Sequence, residues 1–248
     1  MGGFTERLVL NNETLDNIIY DEHIVRYQLV RPFSLGKRVL DLASGSGYGS
    51  HLLAGQALEV IGLDASLDAV ESAKKNYHLP NLKYLVGQAE SLEYPDKHFD
   101  LIVSFETIEH LKDQEKYLGE LKRVISEDGL VFISTPNREA FKEKNPFHLR
   151  EFTKTEFSKL LANYFPYIQI LEQGNAYASV IKGIGKAQAN FSQAIKPLYF
   201  IAVCSKREIK EEFITNLSLN QSALDKLQNN PILKVSDKVY RLFHKLKG

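Results

Sequence analysis

The chain contains a single cysteine, Cys204, so no disulfide can form within it. That cysteine ends the apolar run of residues 198–203 and reads as a buried, inert thiol. A surplus of either charge is also missing. Lysine plus arginine and aspartate plus glutamate both number 31, and without a net field no nucleic-acid partner is expected. No apolar run approaches the length of a membrane span. Met1 to Glu6 lack the apolar core of a signal peptide, and Glu6 stands where a myristoylation signal needs Ser or Thr. These absences predict a cytoplasmic protein. Repeats and low-complexity tracts are absent too, and 44% apolar with 25% charged residues is an ordinary globular composition. With 248 residues, one sizeable α/β domain with appendages is expected, and function must come from particular sites.

Apolar spacing predicts one or two helices over residues 13–31, with a break near Asp21 and an end at Arg31-Pro32. Short β-prone runs follow at 39–42, 58–64, 82–86, 99–105 and 130–134, alternating with helical patterns near 46–55, 67–77 and 113–125. Glu127-Asp128-Gly129 reads as a turn, Ser66 as a helix cap, and Thr153 with Glu156 as a capping box opening a helix to about 164. Two last strands, 167–171 and 198–204, flank a loop-like or partly helical stretch and are expected to pair as an antiparallel edge. Strand–helix alternation means βαβ units and a mostly parallel sheet with helices on both faces. The boundaries are an N-terminal helical segment covering the active site (1–36), a catalytic domain (37–205) and a helical tail (206–248). Within the tail, 231–248 forms a basic amphipathic pattern suited to peripheral membrane or protein contact.

One stretch organises the rest: Val39-Leu40-Asp41-Leu42-Ala43-Ser44-Gly45-Ser46-Gly47-Tyr48-Gly49-Ser50. A strand leads into a glycine turn, and a helix opening at about Ser46 would aim free N–H groups and its positive end at a ligand there. A dinucleotide fold is one reading, with Asp64 as its ribose acid. Ser50 breaks the Gly-x-Gly-x-x-Gly spacing, however, and Asp41 would repel a pyrophosphate.

This stretch, followed by Gly62-Leu63-Asp64-Ala65-Ser66, Gly87-Gln88-Ala89-Glu90-Ser91-Leu92 and Phe99-Asp100-Leu101-Ile102-Val103-Ser104, resembles the successive motifs of class I S-adenosylmethionine-dependent methyltransferases. The resemblance covers residues 37–205 and implies a seven-stranded sheet whose last strand is antiparallel. It places the methionine part of S-adenosylmethionine on Ala43, Ser44, Gly45, Ser46 and Gly47, with Asp41 near its amino group or sulfonium. Asp64 would take the ribose hydroxyls and Ala65 would touch adenine. Gln88 stands where many relatives have Asp for the adenine amino group, with Ala89 and Glu90 beside it. Ser104, Phe105 and Glu106 would close the methyl-bearing side.

Chemistry is expected just past the fourth strand, in Glu106-Thr107-Ile108-Glu109-His110-Leu111. Histidine is the side chain whose charge changes near neutral pH, so His110 suits removal of a proton from a hydroxyl acceptor, with Glu109 and His148 as catalytic partners. Glu106, Glu109, His110 and His148 also resemble the metal-binding set of small-RNA 3′-end 2′-O-methyltransferases. A divalent metal would find ligands there but is not expected. The loop 134–153, with Glu6-Arg7 and residues 20–27, resembles methyltransferases associated with surface-polysaccharide biosynthesis and, more distantly, ubiquinone-biosynthesis O-methyltransferases. Arg26, Arg138 and Arg150 are candidates to hold an acceptor phosphate or the cofactor carboxylate. The expected function is O-methylation of a sugar, glycan intermediate or other small hydroxylated acceptor. The alternatives are a metal-assisted RNA methyltransferase and a non-catalytic S-adenosylmethionine-binding regulator.

Overall fold

The computed structural model describes residues 14–141, 145–174, 178–181, 188–191 and 196–210, with side chains from Tyr20 onward outside 178–181 and 188–191. Helix α1 (Thr14–Val30) runs unbroken through Asp21, and Pro32 turns the chain through a short 3-10 segment, Arg31–Ser34. Strand β1 (Arg38–Leu42), helix α2 (Tyr48–Ala54), β2 (Glu59–Asp64), α3 (Leu67–Asn76), β3 (Leu82–Val86) and β4 (Phe99–Ser104) follow as βαβ units. After a 3-10 turn, Ile108–His110, come α4 (Gln114–Val124), β5 (Ile125–Pro136), α5 (Lys154–Ala162) and β6 (Tyr167–Gln173). A separate hairpin of β7 (Ala178–Ile181) and β8 (Gln188–Phe191) precedes β9 (Tyr199–Ser205). Among the described residues no helix is long and apolar enough to cross a membrane. Glu6, Arg7 and the amphipathic segment 231–248 lie outside the described residues.

The main sheet has seven strands in the order β3-β2-β1-β4-β5-β9-β6, parallel except that β9 runs antiparallel to both β5 and β6. Central strands are buried on both faces, as a covered parallel sheet requires. Val39, Leu40, Leu101, Ile102, Val103, Val131, Phe132 and Ile133 are all at most 1% exposed, each contributing roughly 1.5–3 kcal/mol. Alternation along β1 puts Leu40 and Leu42 in one apolar cluster with Tyr117, Leu118 and Leu121 of α4 and Phe157 and Leu161 of α5. Asp41 points to the opposite face, where Tyr27 of α1 and Ser50 of α2 bond its carboxylate. Ser66 caps α3 and Thr153 with Glu156 closes a capping box on α5, as their sequences direct.

Two local readings are corrected. Glu127-Asp128-Gly129 lies within β5 as an irregularity in the ladder: Phe99 pairs with Ile125, but Leu101 pairs with Leu130. The stretch expected to be loop-like or partly helical carries the hairpin β7–β8, in which Val180 pairs with Ala189; the β-branched Val180 and Ile181 stand just before the glycines at 183 and 185.

Gly49 is where α1 and α2 meet. A Cβ there would lie 2.0 Å from Tyr27 Cζ, and the Tyr27 ring is fixed edge-on to Tyr48 and Phe105. Gly49→Ala is therefore expected to lower stability by about 1–3 kcal/mol, read as a shifted urea midpoint; an unchanged midpoint would show that α1 can move away freely.

Candidate active site

Strand order reverses at β1, with β2 and β3 on one side and β4 and β5 on the other, and ligands of such sheets sit beyond the strand ends at this point. A cavity of about 1150 Å³ opens there. Its walls come from the glycine turn, the ends of β2 and β4, the residues after β3, helix α1 and the loop after β5.

Backbone conformation shapes the first wall. Ala43, Gly45 and Gly47 have φ of 59°, 54° and 87°, so the turn is a series of left-handed residues. A Cβ on Gly45 would meet nothing within 4 Å, whereas one on Gly47 would strike Ala73 and Tyr84, whose hydroxyl donates to the Gly47 carbonyl at 2.7 Å. The first glycine thus keeps space open, and the second lets the turn pack on α3 and β3. Helix α2 opens at Tyr48, two residues later than expected. Ser44 N–H donates to the Leu63 carbonyl and Gly45 N–H to Asp64, so these amides fix the turn to β2 rather than facing a ligand.

Asp64 ends β2, where backbone N–H groups of Gly45 and Ser66 each donate to one of its carboxylate oxygens at 2.9 Å. The carboxylate is thereby fixed in position on the cavity wall. A carboxylate has about four acceptor sites, enough to take two vicinal hydroxyls as well. Asp41 behaves differently. Fully buried, it accepts from Tyr27 Oη at 3.0 Å and Ser50 Oγ at 2.6 Å. Burial pushes its pKa up to about 7, the two hydroxyls oppose that shift, and the charge of Asp64 adds to it.

Glu106 follows β4 with a left-handed φ of 50°, an uncommon conformation for a glutamate. Its N–H and carboxylate are both engaged by Ser134 Oγ, at 3.0 and 2.6 Å, and Arg26 Nη1 lies 3.4 Å from the same carboxylate oxygen. Arg26 is fully buried, donates Nε–H to Gln173 at 2.6 Å and stacks 4.3 Å above the Tyr199 ring. Among the described residues neither of its terminal nitrogens has a hydrogen-bond partner. Tyr199 in turn donates to Glu22 at 2.9 Å. His23, on the same helix, is kept neutral by burial and by Arg26, which lower its pKa to about 3.

The far end of the cavity holds Glu109, His110 and His148, one potential ligand atom of each lying within 4.8 Å of the others. The Glu109 carbonyl accepts from Leu149 and Arg150 N–H, which pins the loop after β5 onto the 3-10 turn. In the Glu109 side chain, Oε2 accepts from Thr135 at 3.1 Å while Oε1 is buried without a hydrogen-bond partner among the described residues. Leaving a buried polar atom so costs about 1–3 kcal/mol, more for a charge. Burial, and then the charge of Glu106, hold the Glu109 carboxyl well above the usual range. His110 Nδ1 lies 3.1 Å from the Phe147 carbonyl and so carries the proton, which leaves the lone pair on Nε2.

Of the residues expected at the site, Ala43, Ser44, Gly45, Ser46, Asp64, Ala65, Gln88, Ala89, Glu90, Phe105, Glu106, Glu109, His110 and His148 line the cavity. Asp41, Gly47 and Ser104 stand behind its wall: all three are buried, the first two within the contacts given above. Arg138 pairs with Glu156 and Arg150 stacks on Phe152, and neither lines the cavity. Tyr48, Thr107, Phe141, Phe147 and Tyr199 line it without having been singled out. Tyr199 was recoverable: β9 is antiparallel, so its first residue, paired with Pro136, sits at the edge where the parallel strands end.

The arrangement is a doubly wound α/β sheet with one polar-walled cavity at its strand ends, bordered by the fixed carboxylate of Asp64. Residues 34–194 match the model of the family described as "Methyltransferase domain". A probable S-adenosylmethionine-dependent methyltransferase of Mycobacterium tuberculosis is 36% identical over 152 residues, covering 59% of this chain and 55% of that protein. A ubiquinone biosynthesis O-methyltransferase of Glaesserella parasuis is 28% identical over 192 residues, covering 75% and 70%. The YcgJ protein from Bacillus subtilis, a solved structure, has the same fold, with a TM-score of 0.56 at 20% identity over 76% of this chain and 99% of that one. The chain belongs to the methyltransferase-domain family and shares the sheet of its S-adenosylmethionine-dependent members. It spans about half the length of the first of these relatives.

The cavity fits that donor. Asp64 offers acceptors for a ribose, and the open face at Gly45 admits a ligand against the backbone. On its wall, the buried Ser44 Oγ and Ser46 Oγ have no hydrogen-bond partner among the described residues, which leaves both hydroxyls able to take the polar groups of an amino-acid tail.

Asp41 generates a pH prediction. Folded Asp41 keeps its proton to about pH 7, whereas an unperturbed Asp loses it near 3.8. Between those values the native state binds more protons than the unfolded chain, so this group makes stability fall as pH rises, by up to about 1.4 kcal/mol per unit. Urea unfolding from pH 4.5 to 8 should show this fall in the wild type and a flatter profile in Asp41→Asn; identical profiles would contradict it.

Proposed function

We propose that the chain transfers the methyl group of S-adenosylmethionine to an oxygen of a small hydroxylated acceptor, with sugars and glycan intermediates as the first class to test. The supporting observation is the division of one cavity into two ends. The glycine turn and Asp64 form a nucleoside-binding end, and Glu109, His110 and His148 form a proton-handling end. When bound, S-adenosylmethionine supplies a methyl on a sulfonium, whose carbon–sulfur bond breaks with its electron pair staying on sulfur.

The chain's own residues then have distinct tasks. Asp64 holds the ribose hydroxyls, Ala65, Gln88 and Ala89 border the adenine, and Ser44 and Ser46 take the polar amino-acid tail. The far end orients the acceptor hydroxyl in line with the methyl group and accepts responsibility for its proton, which must leave as the new oxygen–carbon bond forms. Phe141 and Phe147 of the loop after β5 border the same end and would limit water there. That the Glaesserella parasuis relative is an O-methyltransferase supports oxygen as the receiving atom. The resemblance of the loop and of residues 20–27 to polysaccharide-associated methyltransferases supports a sugar.

Two substitutions separate donor binding from chemistry. Asp64→Ala should weaken S-adenosylhomocysteine binding at least tenfold in calorimetry, about 1.4 kcal/mol; unchanged affinity would remove Asp64 from the donor site. His110→Ala should keep that affinity and lower kcat by roughly 10²–10⁴ against whichever hydroxylated acceptor turns over in a panel of sugars, nucleotide sugars and phenols. Full turnover in His110→Ala would contradict its role.

A further inference from the structure

Residues 87–98 join β3 to β4 with no helix or strand beyond an isolated bridge between Gln88 and Ser91, yet Gly87, Gln88, Ala89 and Glu90 line the cavity. A wall made of loop keeps its shape only where its backbone is tied down. At its start, the Gly87 N–H donates to the Asp64 carbonyl at 3.0 Å. Just past the wall, helix α4 holds both backbone polar groups of Leu92. The Leu92 N–H donates to Glu120 Oε2 at 2.7 Å, and its carbonyl accepts from Arg123 Nη2 at 2.9 Å. The same guanidinium donates to the Tyr94 carbonyl at 2.6 Å and to Asp96 at 3.0 Å, while the Arg123 carbonyl accepts from Lys97 N–H at 2.9 Å. Glu120 fixes this fork by accepting from Nε and Nη2 at 2.7 and 2.8 Å. Packing agrees with the tethers: Ala89 and Leu92 are buried in the same apolar cluster as Leu118 and Leu121 of α4.

We propose that Glu120 and Arg123 are positioning residues for the methyl donor: they fix the loop wall 87–90 in the shape that receives the adenine, although neither of them lines the cavity. The inference rests on the donor reading of the cavity given above. As an ion pair on a partly exposed surface, Glu120 and Arg123 alone would add little to stability. Their geometry serves a different end. A rigid, planar fork of donors satisfies two loop carbonyls and a carboxylate from one position, which a lysine ammonium on its flexible stem does not. Spaced three apart on α4, the two residues share one helix face, so the carboxylate holds the fork in place. The wall is thereby suspended between two fixed points, Gly87 at the end of β2 and Leu92 on α4, with residues 88–91 between them. A ligand that meets a wall already in place is spared the entropy of ordering it. The effect of the clamp therefore falls on donor affinity, and it acts through the loop backbone.

The test uses the full chain with S-adenosylhomocysteine as probe, and reads its affinity by calorimetry and the amide hydrogen exchange of residues 88–97 by mass spectrometry. Arg123→Gln should weaken binding by roughly 5- to 30-fold, the cost of re-ordering about one residue of backbone. Exchange over 88–97 should quicken in that variant, and saturating S-adenosylhomocysteine should slow it again. Glu120→Gln, which preserves side-chain volume, should move both readouts in the same direction and serves as the test if Arg123→Gln does not fold. Arg38→Gln is the control. It breaks a two-pronged pair with Asp100 where β1 and β4 begin, away from the cavity, and should leave affinity and loop exchange unchanged even if it lowers the urea midpoint. Wild-type affinity in the folded variants, or an equal loss in Arg38→Gln, would overturn the positioning role and leave the donor reading standing. A wild-type chain that binds no S-adenosylhomocysteine would overturn the donor reading, and with it the donor role of the clamp.

Discussion

Asp41, a carboxylate at the centre of a fully buried strand, fastens the two N-terminal helices to the sheet. Tyr27 reaches it from α1 and Ser50 from α2, and neither hydroxyl has a better reason to be buried. The same Tyr27 ring packs on Tyr48, Phe105 and the bare backbone of Gly49. One carboxylate thus sets where α1 crosses the strand ends, and α1 brings His23 and Arg26 to the cavity region. Without the acid, the helix would lose the polar contact that gives its position a unique register.

From that anchor the site is assembled by short tethers between neighbouring strand ends. Asp64 is held by Gly45 and Ser66, and Glu106 is held in a left-handed conformation by Ser134. The Glu109 carbonyl holds the loop after β5 by two backbone amides. Apart from the local Ser66 contact, each tether joins segments at least 19 residues apart in sequence at the edge where the parallel strands end. Strained residues collect there, as they do where a binding surface is preorganised. The glycine turn with Asp64, and Glu109 with His110 and His148, then border one cavity of about 1150 Å³.

Much of this was legible in the chain because the signals are local. Short β-prone apolar runs marked the strands, Ser66 and Thr153 marked helix starts, and the glycine turn with Asp64 marked one wall of the cavity. What escaped the sequence depends on distance in three dimensions. Asp41 looked like a ligand residue because it precedes the glycines, yet strand alternation turns it to the helix-covered face. Tyr199 is far in sequence from the loop with which it shares the cavity, and the antiparallel pairing with Pro136 brings it there. Arg138 and Arg150 sit in the right loop but turn to Glu156 and Phe152. That one Glu109 oxygen has no hydrogen-bond partner among the described residues is a property of packing, which no spacing rule reports.

The central claim is that the nucleoside end of the cavity seats the methyl donor. A crystal structure of the chain soaked with S-adenosylhomocysteine tests it most directly. The account predicts density along the glycine turn, with both ribose hydroxyls within hydrogen-bond reach of Asp64 and the sulfur facing the Glu109–His110–His148 end. Density elsewhere, or a ribose that leaves Asp64 unengaged, would contradict it.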